Sequence, residues 1–180
     1  MRIQIYFVYK RKPDSPNAKH IKNALVIVSL AILFAVLLWA SGAYFANSEL
    51  EAFTANTTPL DGAYVENSNL YFYQGCSGIK MGITEDQAYS IREAMIGTVL
   101  SRPLTHDLFE DVMEFYGIGI LHAKLDSMDD GIYKAKILFY GNFNVYEIDS
   151  RPSDMAAMSL RYGNKISISN ALLWNFTKIC

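Results

Sequence analysis

The chain has 180 residues, of which 51% are hydrophobic and 19% charged, and its formal net charge is −2. That length accommodates one folded domain and an additional segment. From residue 24 onward the sequence carries 10 Lys and Arg against 17 Asp and Glu, a balance of −7. This excess of acid argues against a nonspecific nucleic-acid binder, which needs a basic surface to neutralise phosphates. Any chemistry on nucleic acid therefore requires a local basic cleft or metal ions.

The first predicted element is an uncharged apolar helix over residues 24–46. At about 1.5 Å per residue it spans about 35 Å, enough to cross a hydrocarbon core of about 30 Å. Residues 1–23 hold six basic side chains and one acid, so this arm is predicted to stay in the cytoplasm while the rest of the chain faces outward. The sequence thus predicts a single-pass cell-membrane protein in contact with the lipid bilayer. The alternative is a cleaved signal peptide, since residues 40–43 are small.

Residues 47–60 are small and polar and are predicted to form a linker to a domain over residues 61–180. The domain begins with three predicted strands, over residues 63–65, 70–73 and 78–83. Thr84, with Gln87 three residues later, forms a capping-box pattern, so the first helix of the domain is predicted to start there.

A second helix is predicted to have Thr105 as its N-cap and to end at Gly117. The helical period places Leu108, Val112, Phe115 and Met113 on one apolar face. The remaining predicted elements are strands over residues 118–125, 132–140 and 143–149, a helix over 152–162, and one short strand and one short helix in the tail. Hairpin strands interleaved with helices are typical of the α+β class. We therefore expect a twisted, mainly antiparallel sheet with flanking helices, preceded by one transmembrane helix.

The sequence "RPLTHDL" (residues 102–108) is the first motif with chemical potential. Thr105 and Asp107 are both explained by helix capping and by the helix dipole. His106 is less comfortable at the positive end of a helix, so it is either a neutral, hydrogen-bonded structural residue or a general acid–base. His122, by contrast, is alone in a strand pattern, which favours a structural role.

The sequence "DSRPSD" (residues 149–154) is the second motif. Asp149 and Glu147 are two residues apart on a strand and so share a face. One interpretation is an ion network between Arg151 and the acids that fixes a loop, with Asp154 serving the helix dipole. The other is a site in which carboxylates hold a divalent cation and guanidinium groups bind a phosphate.

Taken together, the blocks "RPLTHDLFEDVMEFYG" and "YEIDSRPSDMAAMSLRYGNKISIS" resemble the bifunctional nuclease domain family. Its members carry an RPxTHDL block and a D-x-RPSDA-x-A-x-A-x-R block. The resemblance covers the domain from about residue 60 and implies an α+β, usually homo-oligomeric domain linked to cleavage of RNA and DNA. The sequence departs from the family in having Met155 and Met158 where small residues are usual, and in its membrane anchor.

The resemblance carries over to eight candidate site residues. They are Arg102, Thr105, His106, Asp107, Asp149, Arg151, Ser153 and Asp154. We infer that His106, Asp107, Asp149 and Asp154 are catalytic, with the last two holding Mg²⁺ or Mn²⁺. Arg102, Thr105, Arg151 and Ser153 then bind the substrate.

These roles require the two motifs to meet in the folded domain, with Arg102 or His106 close to Asp149 or Asp154. The alternative function is a non-catalytic, self-associating binding or sensor domain displayed at the membrane, in which the motifs form a rigid polar core. The acidic balance favours this alternative, and the complete pair of motifs favours the nuclease.

Two cysteines, Cys76 and Cys180, are compatible with one disulfide outside the cytoplasm. They are equally compatible with two unpaired thiols, because the distance between them is not encoded in any local pattern.

Overall fold

The computed structural model describes residues 16–97, 101–142, 144–163 and 165–180, with side chains described from His20 onward. Most of the predicted basic arm, residues 1–15, lies outside the described residues. The helices are α1 Pro16–Thr54, α2 Glu85–Ile96, α3 Thr105–Phe115 and α4 Pro152–Arg161, with a 3-10 helix at Asn170–Asn175. The strands are β1 Thr57–Pro59, β2 Gly62–Glu66, β3 Asn69–Gln74, β4 Ser77–Gly82, β5 Gly119–Asp129, β6 Ile132–Gly141, β7 Asn144–Ser150, β8 Ile166–Ser169 and β9 Thr177–Lys178. The chain divides into two units, one ending at Ser41 and the other running from Gly42 to Cys180.

Helix α1 contains the apolar segment that the sequence predicts. From His20 to Thr54 it is long and apolar enough to cross a membrane, with a mean hydropathy of 2.7 in its most apolar window. The side chains of that window are not buried within the described residues. The helix is compatible with a single-pass membrane anchor. A signal sequence near the N-terminus has the same length and apolar composition.

The residues predicted to form a linker begin as a continuation of this helix. Helix α1 extends to Thr54, and β1 follows after Asn56. The polar side chains stay compatible with the helix because the Ser48 hydroxyl donates to the Phe45 carbonyl and the Thr54 hydroxyl donates to the Leu50 carbonyl, each at 2.8 Å. This last part of the helix belongs to the same unit as the sheets.

Two sheets form the folded unit and confirm the α+β class. The larger sheet has the order β1-β8-β5-β6-β7 and is antiparallel except for the parallel pair β5 and β8. The smaller sheet has the order β2-β3-β4-β9 and is antiparallel throughout. The hairpin between β5 and β6 turns at Asp130 and Gly131, whose φ values of 49° and 78° are those of a type I′ turn.

A disulfide links Cys76 to Cys180, with their Cα atoms 5.2 Å apart. Its two ends lie beside the short pairing of β4 with β9, in which Ser77 is opposite Lys178. Strand β9 has two residues, too few to give an alternating pattern from which it could be predicted. The structure therefore decides in favour of the bonded state of the two cysteines.

Packing of α4 between α2 and the larger sheet brings the two motifs together. Helix α4 begins with Pro152 at its first position, as predicted, and buries Met155, Ala156, Ala157 and Met158. The two alanines permit a close approach of α4 to α2 and to β5 and β6. Helix α3 also contacts α4, so the starts of both motif helices lie in one region.

Helix α3 differs from prediction at its start. Leu104, not Thr105, is the N-cap residue, and Thr105 is the first helical residue. The Asp107 side chain accepts a hydrogen bond from the Leu104 backbone N–H at 2.8 Å, which caps the helix from inside its first turn. The prediction of Thr105 as N-cap was therefore wrong, whereas Thr84 caps α2 with Gln87 as expected.

The apolar face predicted for α3 is exposed at three of its four residues. Met113 is 2% exposed, but Leu108 is 58% and Phe115 is 83% exposed, and Val112 is exposed as well. The apolar period is real, but the helix packs its other side on the domain, through Met113 and Asp107. We call the exposed set Leu108, Val112 and Phe115 the α3 outer face.

Candidate active site

The two motifs meet at a cavity of about 690 Å³. It lies between α2, the start of α3, strands β6 and β7, and the start of α4. Its apolar lining consists of Leu104, Phe109, Ile137, Phe139, Ile148 and Met158. Its polar lining includes His106, Arg151 and Asp154, together with Ser90 of α2. The cavity thus places a titratable pair, the Asp86 carboxylate and one cation beside a surface that can hold an apolar or aromatic group.

His106 is the centre of this polar group. Its Nδ1 lies 2.9 Å from the Ser90 hydroxyl, and its Nε2 lies 3.5 Å from Oδ1 of Asp154. Ser90 is 7% exposed, so its hydroxyl fixes the imidazole ring from the protein side. The prediction that the two motifs converge, with His106 close to Asp154, is confirmed.

The surroundings of His106 favour its neutral form. Burial lowers the pKa of His106 below its usual range, and the positive charge of Arg161 lowers it further. The carboxylates of Asp154 and Asp107 act in the opposite direction without reversing the shift. A neutral imidazole with one nitrogen fixed by Ser90 can accept or transfer a proton near pH 7.

Arg161 forms the ion pair that supports this arrangement. Its side chain is 5% exposed, and its Nε donates to Oδ1 of Asp107 at 2.7 Å. Its Nη1 donates to the backbone carbonyls of Ser90 at 3.2 Å and of Ala157 at 3.0 Å. Burial acts to raise the pKa of the Asp107 carboxyl. The hydrogen bonds from the Leu104 backbone N–H to one oxygen and from Arg161 to the other outweigh it, so the pKa is lowered. One guanidinium therefore joins α2, α3 and α4 behind His106.

Arg151 and Asp154 form a second ion pair at the mouth of the cavity. Nε of Arg151 donates to Oδ2 of Asp154 at 2.7 Å, and Nη2 donates to Oδ1 at 3.1 Å. The Arg151 side chain is 71% exposed, so its remaining N–H groups face solvent. Arg151 is also the N-cap residue of α4. This geometry leaves one edge of a planar cation available to a phosphate.

The structure brings some of the predicted residues to the cavity and leaves others outside it. Thr105, His106, Arg151 and Asp154 line it. Asp149 lies on the other face of β7, because its neighbours Ile148 and Ser150 line the cavity and strand residues alternate. Ser153 lines an adjacent cavity, and Arg102 is exposed in the turn before α3. Asp107 lies behind His106, where it is bonded to Arg161.

The residues present do not fit the predicted Mg²⁺ or Mn²⁺ site on Asp149 and Asp154. The two carboxylates lie on different sides of β7, and both oxygens of Asp154 accept from Arg151. Within the part of the chain that the structure describes, no three His, Cys, Asp or Glu side chains are grouped closely enough to hold a metal. Mg²⁺ is usually held by one or two carboxylates together with waters and substrate phosphates, and here the one carboxylate of the pair that lines the cavity is already bonded to Arg151.

Sequence reasoning missed two residues of the site, Ser90 and Arg161. Arg161 occupies the last position of the D-x-RPSDA-x-A-x-A-x-R pattern, so the second block itself contained the signal. Ser90 has no motif around it, and only its position beside Ile91 on the buried side of α2 marks it. Their roles depend on how α2 packs against α4, which neither local sequence contains.

Comparison with known proteins agrees with the two motifs. A family model described as the bifunctional nuclease domain matches residues 74–178. Two curated relatives are uncharacterized proteins of Mycobacterium tuberculosis, from strains CDC 1551 / Oshkosh and ATCC 25618 / H37Rv, each 32% identical to this chain over 91 residues. The match covers 51% of this chain and 54% of each relative, so the chain spans about half the length of the curated relatives it matches.

Proposed function

The chain belongs to the bifunctional nuclease domain family, and from that membership we propose that it is a membrane-anchored nuclease that hydrolyses phosphodiester bonds of RNA and DNA. The observation that carries the proposal is the approach of His106 Nε2 to Asp154 Oδ1, 3.5 Å apart in a cavity that also presents Arg151. Tyr89 and Phe109, both partly exposed at the same cavity, supply rings on which a base can stack.

In this proposal His106 is the general base. In its reactive tautomer Nδ1–H donates a hydrogen bond to the Ser90 hydroxyl oxygen, which leaves the Nε2 lone pair free to take a proton from an attacking water. The water oxygen bonds to phosphorus while the bond from phosphorus to the leaving oxygen breaks. The imidazolium then returns its proton to that leaving oxygen. Asp154 stabilises the imidazolium, and the free edge of Arg151 binds the non-bridging oxygens.

The remaining predicted residues have supporting roles in the proposal. Thr105 lines the cavity, and Arg102 is exposed in the turn before α3, where it can contact the backbone of a longer strand. Asp107 is a positioning residue, because its carboxylate bonds to Arg161 and to the start of α3. None of these steps passes through Asp149.

Cleavage of labelled single-stranded RNA and DNA by the full chain in detergent tests the proposal. We expect His106→Ala and Asp154→Asn each to lower the rate by about 100-fold or more, because each removes a group that exists to move or stabilise a proton. His122→Gln is the matched control, since His122 is also half-buried and also contacts a serine hydroxyl, Ser167, at 2.9 Å. Parallel reactions with Mg²⁺, Mn²⁺ or EDTA test the predicted need for a divalent cation. Equal cleavage by folded wild-type and His106→Ala protein would remove the nuclease assignment.

The pH dependence of cleavage provides a second test. The pKa of His106 is lowered from 6.5, so the base is formed as pH rises through a value below 6.5 and activity should be at its plateau by pH 7. A profile of kcat/KM between pH 4 and 8 checks this result, within roughly the range where carboxylates and histidines titrate. His122→Gln should retain the same acidic limb. An acidic limb above pH 6.5 would contradict the role given to His106.

We further propose that α1 is an uncleaved anchor, with the N-terminus in the cytoplasm and the domain outside. The six basic residues before residue 24 support this orientation, because positive charge resists translocation. The disulfide between Cys76 and Cys180 supports it independently, since such bonds persist in oxidising compartments.

Protease treatment of intact cells tests the orientation. We expect the domain to be digested without permeabilisation, while a tag at residue 1 stays protected until the membrane is opened. A chain that is shorter than the full length and free in the supernatant would instead indicate a cleaved signal peptide. Digestion of the tag before the domain would contradict the orientation.

The second candidate function, a self-associating domain, is favoured by the α3 outer face. Leu108, Val112 and Phe115 are spaced along one side of α3, and Phe115 also stacks edge-on against Tyr116, with ring centroids 5.2 Å apart. Apolar patches of this kind on a domain surface mark interaction sites. We expect Phe115→Glu to shift the mass of the detergent-solubilised protein, measured by sedimentation, from an oligomer toward a monomer. An unchanged mass would contradict self-association through this face.

A further inference from the structure

A second cavity, of about 430 Å³, lies against the C-terminal half of α3. Glu110 and Glu114, one helical turn apart, form its wall on that helix. The start of β5, Tyr140 of β6 and Tyr162, the C-cap residue of α4, complete the lining. None of these residues lines the cavity that contains His106, so the two cavities are separate sites.

The lining of this second cavity carries negative charge and no positive charge. It includes two glutamates and contains no Lys, Arg or His. The Arg161 guanidinium acts on Glu110, but it is already bonded to Asp107 and to two backbone carbonyls. Burial raises the pKa of Glu110, and Arg161 opposes this shift without reversing it. A concave site with charges of one sign attracts ions of the other sign, so the cavity favours a cation.

Tyr162 gives the cavity a buried hydrogen-bonding group. Its ring is partly exposed, but its hydroxyl oxygen is buried and has no hydrogen-bond partner among the residues that the structure describes. Burial raises the pKa of Tyr162, and the carboxylates of Glu110 and Glu114 raise it further, so the hydroxyl lies toward these acids. A buried hydroxyl without a partner is unfavourable, which indicates independently of the charges that a ligand completes its bonding.

Tyr140 adds an aromatic surface to the cavity. It is opposite Gly119 in the pairing of β5 with β6, and its ring lies across that glycine. A Cβ atom at Gly119 would come within 2.7 Å of Cζ of Tyr140, so the absence of a side chain there makes room for the ring. Tyr140 remains 45% exposed. An aromatic ring in this position can contact both a cation and the carbon chain attached to it.

We propose that this cavity binds a small organic cation that carries a primary ammonium group. An ammonium has three N–H donors and no acceptor. The cavity offers three acceptors, the carboxylates of Glu110 and Glu114 and the hydroxyl oxygen of Tyr162. A metal ion fits this set less well, because no three His, Cys, Asp or Glu side chains are grouped to hold one within the described part of the chain. The proposal goes beyond the proposed nuclease function and does not rest on it.

Calorimetric titration of the full chain in detergent with n-butylammonium chloride tests the site. We expect saturable binding that Glu110→Gln and Glu114→Gln each weaken by about 5- to 10-fold, since each removes one charge-assisted hydrogen bond. Asp111→Asn is the matched control, because Asp111 is an exposed acid of the same helix outside the cavity, and it should leave the affinity unchanged. Absence of saturable binding in the wild type, or equal losses in Asp111→Asn and Glu110→Gln, would overturn the proposal.

Tyr162→Phe tests the role of the hydroxyl group without removing a charge. Because this hydroxyl has no partner in the ligand-free protein, the variant should unfold at the same denaturant concentration as the wild type or at a higher one. It should nevertheless bind n-butylammonium about 3- to 10-fold more weakly, because one hydrogen bond to the ligand is lost. Undiminished affinity in the folded variant would contradict the proposed site.

Tetramethylammonium chloride distinguishes a primary ammonium site from general attraction of positive charge. This cation carries the same charge but no N–H donor, so it should bind the wild type at least about 10-fold more weakly than n-butylammonium. Equal affinity for the two cations would show that the three acceptors do not select the ligand, which would defeat the proposal. All of these measurements follow binding, so a chain that fails to cleave nucleic acid still gives a result here.

Discussion

Replacing both Cys76 and Cys180 by serine is expected to lower the free energy of unfolding by about 4 kcal/mol. The two residues are 104 positions apart, so the disulfide closes most of the folded unit into one loop. The unfolded chain loses conformational freedom when such a long loop is closed, and the cost rises with the logarithm of loop length. Chemical denaturation in detergent, followed by near-ultraviolet circular dichroism, measures the difference.

Reductant provides the internal control for this result. The wild-type protein should fall to the stability of the double-serine variant when dithiothreitol is added, and the variant should not respond. A single substitution, Cys180→Ser, should match the double variant after reduction. If the oxidised and reduced wild-type proteins unfold at the same denaturant concentration, the disulfide does not stabilise the domain.

Removal of the Asp107 carboxylate is expected to have the next largest effect on stability. We expect Asp107→Ala to lower the free energy of unfolding by about 3 kcal/mol, because it leaves the buried Arg161 guanidinium without its charged partner. The same change removes the capping bond to the Leu104 N–H. Asp129→Ala is the control, since its ion pair with Lys134 is exposed and should contribute less than about 1 kcal/mol.

A double-mutant cycle separates the pair from the cap. Asp107→Ala combined with Arg161→Met should cost less than the sum of the two single changes, because the second substitution removes the unpaired charge that the first creates. Additive single changes would show that Asp107 and Arg161 are not coupled.

The stability that this ion pair contributes should also depend on pH. The pKa of Asp107 is lowered from 3.8, so the contribution of the pair to the free energy of unfolding is complete above that pH and is lost as pH falls through the lower value.

Local sequence patterns predicted where helices begin better than they predicted which helix faces are buried. The capping box at Thr84 and the proline at the start of α4 are local signals that involve only neighbouring residues, and both predicted the correct helix starts. The apolar period of α3 is equally clear, but the period does not state which partner buries it. The pattern therefore did not show that Phe115 would be exposed.

The candidate site shows the same division. The chemical types in the two motifs predicted that His106 and Asp154 would meet, and they do. The spacing within the second motif also suggested that Asp149 would join them. Side chains alternate between the two faces of a strand, however, and Asp149 lies on the face of β7 that does not line the cavity. Whether Ile148 or Asp149 faces the cavity depends on the register of β7 against β6, in which Asp149 is opposite Lys136. Register is a long-range property, so no local motif contains it.

The end of α1 has a practical consequence for any soluble form of this protein. Phe53 is 4% exposed, its ring meets the His122 ring edge-on with centroids 6.1 Å apart, and the Lys124 ammonium lies 4.3 Å from its centroid. Lys124 also donates to the Phe53 carbonyl at 3.3 Å. A fragment cut at the strand that follows would leave a hole the size of a phenyl ring, and the Lys124 ammonium would keep its ion pair with Asp126 at 3.2 Å but lose the Phe53 carbonyl. The stretch from Gly42 to Thr54 therefore belongs to the folded unit, and a truncation meant to release the domain has to be made upstream of it.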